Sequence, residues 1–329
     1  MEQKGRCHVN RQAAPTQMDT PWPHRVRSAL ALSACAEALA APFSGKPLPE
    51  AAEVTTALAH PDPRLHRPAC GSTQMLVVAE HFAGREGKLD EDSLAAALAR
   101  RCGSHDSAGD SLGTHKVLAD VEKGVPWWES ALALHNRQGS YGNDAAVRAT
   151  PIGLLPRTGV GTIALLARRS ATITHTHQLA RDGAAVHAVA VALAANMQPS
   201  AAIDANRFLA TVAAHIRTLE FRAALGIVRT LVRHRAGPAE TAATVGHDGT
   251  ALRSVPAALA AYLRHPDEPV AAIRYAILIG GDAPAIAAMT GALAGARCPA
   301  FVAPAGWSAL TDTAAIDSAA TALSGIVKP

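Results

Sequence analysis

The chain has 329 residues, of which 49% are apolar, 18% charged and only 4% aromatic. That apolar share excludes disorder over the whole length. A core made of Ala, Leu, Val and Ile, with four Trp, three Tyr and five Phe, favours closely packed helices over sheets. The net charge of +4 comes from scattered basic residues and falls short of the basic stripe of a nucleic-acid binder.

The five cysteines, Cys7, Cys35, Cys70, Cys102 and Cys298, are odd in number and show no C-x-x-C spacing. This argues against a disulfide framework or a structural zinc site and makes a cytoplasmic setting the default expectation. The first twenty residues are polar and carry no apolar leader core. The apolar stretch 183–197 is interrupted by His187 and is shorter than the roughly 20 residues a bilayer span requires. Neither a membrane nor a nucleic acid is expected as a partner.

Residues 1–24 read as a loose N-terminal arm ending in Pro21-Trp22-Pro23. An Ala-rich, Gly-free helix follows over 25–41 and is stopped by Pro42. Further helices are predicted over 48–60 and 75–82, and over 94–101 behind an Asp92-Ser93 cap, with Gly103 as the stop. Residues 103–113, rich in Gly, Ser and Asp, read as a loop. Helices follow over 114–123, closed by Gly124, and over 127–136. Residues 138–151 read as a loop feeding a helix cut at Pro151. Helical periodicity returns over 159–169, 181–195, 203–234 and 254–264. The apolar run 271–279 ends at Gly280-Gly281, a small-residue helix covers 284–296, and the tail from Ser308 is helical. No sustained alternation and no fixed-period repeat occurs. The pattern predicts an all-α protein, with residues 25–329 as one domain behind the arm 1–24.

No G-x-S-x-G elbow, H-E-x-x-H, phosphate-binding P-loop or dinucleotide G-x-G-x-x-G is present. Gly159-Val160-Gly161 is too short to count. His175-Thr176-His177 would serve as paired ligands only on extended backbone, because residues two apart on a helix diverge by about 200°. Cys70 has no base at a defined spacing and reads as a small buried hydrophobe.

Four segments, in order, together resemble the ADP-ribosylglycohydrolase family. Ser140-Tyr141-Gly142-Asn143-Asp144-Ala145-Ala146-Val147-Arg148, followed by Pro151-Ile152-Gly153, is similar to its S-x-G-N-G-A-A-M-R-x-x-P-I-G segment. Ile173-Thr174-His175-Thr176-His177, with Gly183-Ala184, is similar to T-H-x-H-P and its following G-A. Ser254-Val255-Pro256-Ala257-Ala258-Leu259, Gly280-Gly281-Asp282 and the small residues to Ala296 match the C-terminal V-P-x-A-L and G-G-D-T-D-T-I-A segments. Thr73-Gln74-Met75 matches the end of T-D-D-T-Q-M. The resemblance implies a compact orthogonal multi-helix bundle with a pocket for ADP-ribose or a related ribosylated group. It also implies two Mg²⁺ ions between the T-D-D and D-x-D-T segments.

The chain departs from that pattern where the ions would bind. Cys70, Gly71 and Ser72 stand at the Thr, Asp and Asp positions, and Ala283, Pro284 and Ala285 follow Asp282. Mg²⁺ requires oxygen ligands in near-octahedral geometry, so the Mg²⁺ site is expected to be lost and no cofactor is expected. Glu37, in Ala36-Glu37-Ala38-Leu39-Ala40, keeps an acid at the position of the family's G-D-A-L-G aspartate. Asp144 adds a carboxylate where the family has Gly.

Carboxylates stabilise an oxocarbenium-like state or activate water without metal. Glu37, Asp144 and Asp282 are therefore the candidate catalytic residues. Each also has a purely structural alternative: an ion pair with an arginine for Glu37, and a helix cap for Asp144 and Asp282. The resemblance implies that Ser72, Thr73, Ser140, Tyr141, Gly142, Asn143, Arg148, His175 and His177 bind the substrate, with small residues letting backbone N–H groups approach phosphate. Arg148 suits either phosphate or an internal contact with Asp282. The expected function is metal-independent hydrolysis of an N- or O-ribosyl bond in a small ribosylated nucleotide. The alternative is a pseudoenzyme that binds ADP-ribose. The oligomeric state is not legible in the sequence.

Overall fold

The computed structural model describes residues 21–62, 64, 70–102, 112–198 and 201–326. The chain starts with α1 (Trp22–Ala40), which a short 3₁₀ turn extends through Phe43. The chain continues through α2 (Ala51–Ala59), α3 (Cys70–Gly84), α4 (Glu91–Cys102), α5 (Leu112–Glu122) and α6 (Trp127–Arg137). Two short helices, α7 (Asp144–Val147) and α8 (Thr150–Gly153), precede α9 (Val160–Thr172) and α10 (Gln178–Asn196). The second half holds α11 (Ala205–Ala213), α12 (Leu219–His234), α13 (Pro238–Val245), α14 (Ala251–Arg264), α15 (Pro269–Ile279), α16 (Ala283–Arg297) and α17 (Thr313–Ser324). Among the described residues there is no strand, only an isolated bridge between Gly142 and Thr250.

Two layers of contact organise these helices. One is α1 lying along α16, with α3 and α17 on its flanks. The other is α10, which packs against α7, α8, α9, α14 and α16. Both α1 and α10 are buried on nearly every face, which is why their sequences lack the polar stripe of a surface helix. By length and composition Trp22–Phe43 is apolar enough to cross a membrane, yet 72% of its apolar window is packed inside the bundle. Its hydrophobicity serves the core.

The close approach of α1 and α16 requires glycine at two places. A Cβ at Gly291 would collide with the Leu32 carbonyl oxygen, and one at Gly295 with that of Ser28. Glycine is a poor helix former, so its presence twice within α16 reflects packing, not propensity.

Several boundaries differ from the sequence reading for identifiable reasons. Helix α1 begins at Trp22, so residues 22–24 of the expected arm belong to it, while residues 1–20 lie outside the described residues. Most of the expected loop 103–113 also lies outside, although Leu112 and Gly113 open α5. Asp90, not Asp92-Ser93, caps α4, accepting from the Ser93 N–H at 3.0 Å. The predicted continuous helix 203–234 is two helices, because Asp182 of α10 accepts the backbone N–H groups of Arg217 and Thr218 at 3.0 and 2.7 Å. Helix α13 carries no strong period and was not expected. Within α6, Leu134, His135 and Asn136 leave helical geometry, and His135, Asn136 and Arg137 take φ of 49°, 55° and 68°. The described cysteines, Cys35, Cys70, Cys102 and Cys298, are buried and form no disulfide with one another.

Gly291→Ala tests the helix contact. The substitution gains about 1 kcal/mol of helix propensity and loses roughly 1–3 kcal/mol to overpacking against a backbone that cannot yield. Net destabilisation in urea unfolding is the expected outcome, and Gly291→Val is expected to be worse.

Candidate functional site

The N-terminus of α3 is held by a carboxylate from α1. The buried Glu37 side chain accepts from the Gly71 N–H at 3.0 Å through Oε1. Its Oε2 accepts from the Ser72 N–H at 2.8 Å and from the Ser72 hydroxyl. The first N–H groups of a helix lack intrahelical partners, and a carboxylate placed there both satisfies them and meets the positive end of the dipole. This is why α3 starts at Cys70, five residues before the periodicity becomes visible. A Cβ at position 71 would stand 2.5 Å from Glu37 Oε1 and 2.9 Å from Val147 Cγ1. The Glu37 carboxylate thus occupies the space that a side chain at position 71 would need. Burial pushes the Glu37 carboxyl up to about 7, against the pull of Ser72 and Gly71, and the charge of Asp282 adds to the rise.

A second carboxylate reaches the same region from the start of α16. Asp282 Oδ2 accepts from Asn143 Nδ2 at 2.7 Å, and the same amide donates to Ser254 Oγ at 3.0 Å. Backbone bonds fix both partners. The Asn143 N–H donates to Gly249 O and the Ala251 N–H to Tyr141 O, each at 3.0 Å, and the Asp282 N–H donates to His247 O at 2.7 Å. Burial raises the Asp282 carboxyl above its ordinary value, Asn143 opposes this, and the charge of Asp144 adds to it.

Asp144, at the start of α7, accepts from the Thr114 hydroxyl at 2.6 Å and lies 3.9 Å from His175 Nε2. Behind it runs a buried polar chain. Arg148 donates to Gln74 Oε1 at 2.9 Å, to Ser170 O at 3.1 Å and to Thr174 Oγ1 at 2.8 Å. Thr174 Oγ1 is in turn 2.7 Å from His175 Nδ1. A guanidinium can only donate, so the Thr174 hydroxyl accepts from Arg148, and in the Nε2–H tautomer of His175 it gives its own proton to Nδ1. Burial holds the His175 imidazole down at about 4, and it is neutral near pH 7. Its Nε2 is a buried atom without a hydrogen-bond partner, 3.9 Å from Asp144 Oδ2, and a Cβ at Gly142 would come within 3.1 Å of it.

Ser140 Oγ accepts from the Gly142 N–H at 3.2 Å. Tyr141 is exposed, with the His135 and His177 rings each 5.6 Å from its own. His177 caps α10, its Nδ1 accepting from the Leu179 N–H at 3.2 Å. Thr73 is half-buried in the first turn of α3.

Residues separated by more than a hundred positions in the chain are thus gathered around Asn143. Asp282 bonds Asn143, Asp144 follows it in the chain, and the electrostatic influence of Asp282 on Glu37 and of Asp144 on Asp282 puts the three candidate acids in one region. Among the described residues no arginine pairs with Glu37 and none with Asp282. Arg148 is fully buried, and its bonds run to Gln74, Ser170 and Thr174 and not to Asp282. The pair His175 and His177 sits on non-helical backbone, but the two rings make different contacts, one inward and one at the rim. Thr114, Thr174 and Ser254 were not singled out from the sequence. Ser254 and Thr174 lie inside the matched segments, whereas nothing local marks Thr114. Among the described residues no group of three or more His, Cys, Asp or Glu is arranged to hold a metal ion.

The fold is that of a solved structure described as an ADP-ribosylglycohydrolase-related protein complex, with a TM-score of 0.69 at 21% identity over 93% of this chain and 98% of that one. Residues 18–328 match the ADP-ribosylglycohydrolase family, and the chain belongs to it. Among similar proteins are ADP-ribosylhydrolase ARH3 of Gallus gallus and of Homo sapiens, each 31% identical over 209 residues. Those alignments cover 55% of this chain and 56% of each relative, so the chain spans little more than half the length of these curated relatives. An uncharacterized protein of Archaeoglobus fulgidus is 29% identical over 256 residues, covering 76% of this chain and 77% of that one.

Two outcomes test the Glu37 arrangement. The folded carboxyl is raised from 4.5 to about 7, so its contribution is greatest below pH 4.5 and is lost as pH rises to 7. Relative to Glu37→Gln, which stays neutral, the wild type is expected to lose stability across that window in urea unfolding, and to change little above pH 8. Gly71→Ala is expected to destabilise by roughly 1–3 kcal/mol through the clash with Glu37, and the double variant with Glu37→Ala to recover part of that loss.

Proposed function

We propose that the chain hydrolyses an N- or O-ribosyl bond of a small ADP-ribose-type nucleotide, and does so without Mg²⁺. Membership of the ADP-ribosylglycohydrolase family supports a ribosyl-bond hydrolase. The observation that carries the finer reading is the convergence of Glu37, Asp144 and Asp282 around Asn143, two of them with carboxyls raised by burial.

A pair of Mg²⁺ ions does not fit this donor set. Gly71, Ala283, Pro284 and Ala285 bring no side-chain oxygen. Both Glu37 oxygens accept from the start of α3, and one oxygen of Asp282 accepts from Asn143. A hard cation that demands six oxygens in strict geometry has too few here.

In the proposed reaction Asp282, held protonated toward higher pH, gives its proton to the leaving group as the anomeric bond breaks. Asp144 takes a proton from the attacking water, whose oxygen bonds the anomeric carbon. The facing carboxylates also stabilise the oxocarbenium-like charge of the transition state. Glu37 holds the Ser72 end of α3 in place beside them. His175 offers Nε2–H to a ligand oxygen, and Arg148 positions it through Thr174. Ser140, Gly142 and Asn143 line the approach of the phosphates, and Tyr141 presents an aromatic face between His135 and His177.

A second reading is an ADP-ribose-binding protein without turnover. It is favoured by one observation, that both Glu37 oxygens are already engaged.

Incubation with ADP-ribosylated peptides, NAD-derived nucleotides and ribosides, with and without EDTA, separates the two. Turnover that EDTA leaves unchanged, and that Asp144→Asn lowers by about 100-fold or more, is the expected outcome. Binding without turnover supports the second reading, and turnover that requires Mg²⁺ overturns the proposed mechanism.

A further inference from the structure

At the N-terminal end of α10 lies a 260 Å³ cavity lined by Arg168, Gln178, Arg181, Asp182, Arg217 and Thr218. It brings three guanidinium groups to one carboxylate. That carboxylate is fully engaged. Asp182 Oδ1 accepts from Arg168 Nε at 2.7 Å, and Oδ2 accepts from the backbone N–H groups of Arg217 and Thr218. Arg168 is engaged as well, donating also to Ala164 O and His215 O. This buried pair fastens α9 and α10 to the segment before α12, and its charges cancel.

What remains is positive and unmet. Arg181 is half-buried, and its side-chain Nε is among the buried atoms without a hydrogen-bond partner. Thr218 is 9% exposed, and its Oγ1 is likewise buried and unpartnered. Among the described residues the Arg217 side chain has no carboxylate partner, and it is an exposed residue that lines the same cavity. Burying polar groups without partners costs free energy, and such groups mark places where a water or ion belongs. Burial together with the nearby Arg217 and Arg168 charges lowers the Arg181 pKa, against a smaller opposing pull from Asp182.

We propose that this cavity is an oxyanion site for a phosphate monoester or free phosphate, held by Arg181 and Arg217 with a hydrogen bond from the Thr218 hydroxyl. Planar guanidinium groups match tetrahedral oxyanions with paired, charge-assisted bonds. The cavity volume accommodates a phosphate and part of what carries it. Gln178 directly follows His177, whose ring lies against Tyr141 at the rim of the candidate active site. A nucleotide at that rim has a second phosphate site one helical turn away along α10. The anion site stands whether or not the neighbouring acids break a bond.

Titration calorimetry with orthophosphate at constant ionic strength tests this directly. One saturable site is expected, weakened about tenfold or more by Arg181→Gln and by Arg217→Gln, with circular dichroism unchanged for both. Arg217 is exposed, so its variant remains informative if the buried substitution perturbs folding. Adenosine 3′,5′-bisphosphate and adenosine 5′-monophosphate identify the source of the phosphate. A bisphosphate that gains affinity over the monophosphate, with the gain lost in Arg181→Gln, assigns the site to a nucleotide ligand. Saturable orthophosphate binding with no such gain assigns it to free phosphate. Absence of saturable phosphate binding up to roughly 10 mM, or binding that both substitutions leave unchanged, overturns the proposal.

Discussion

The start of α3 depends on a carboxylate that belongs to another helix. Glu37 reaches from α1 and takes the Gly71 and Ser72 N–H groups that the helix cannot satisfy itself. A cap supplied by the local sequence would leave α3 free to move against α1. A cap supplied from α1 fixes the relative position of the two and sets what fits between them. The room beside Gly71 is filled by Glu37 Oε1. Position 71 therefore carries no side chain, and the acid that remains in this region is the one on α1.

The electrostatics of two regions of the bundle are opposed. Around Asn143 and the start of α3, three carboxylates have amides, hydroxyls and backbone N–H groups as their partners, and among the described residues no cation pairs with Glu37 or Asp282. Buried carboxylates neutralised only by hydrogen bonds favour their protonated forms, which suits proton transfer near neutral pH. Around Asp182 the balance is reversed, with arginines in excess of acid. Arg148 belongs to neither arrangement. It is enclosed among Gln74, Ser170 and Thr174, where it holds the hydroxyl that meets the His175 ring. A cation sealed behind a site acts on orientation, whereas a cation lining an open cavity acts on ligands.

Much of the fold was legible because the relevant signals are local. Ala-rich, Gly-free runs, proline stops and the glycine after α5 mark helices through backbone entropy and sterics. The matched segments around Ser140–Arg148, His175 and Asp282 were legible because each is contiguous. What the sequence did not reveal follows a different rule. The split of 203–234 into α11 and α12 comes from Asp182, which withdraws two backbone N–H groups from any continuing helix. The early start of α3 comes from Glu37, and the burial of Arg148 from partners on α3, α9 and the loop that follows α9.

By itself the sequence determined the helical class, most helix positions, the family and the identity of the acids present, since each depends on composition, spacing or contiguous motifs. Tertiary structure decided which of those acids share a site, which are occupied by helix N-termini, and which arginines remain without an anion. Those outcomes rest on hydrogen bonds and charge contacts between elements far apart in the chain, and desolvation alters the energy of such a contact only after the elements have packed.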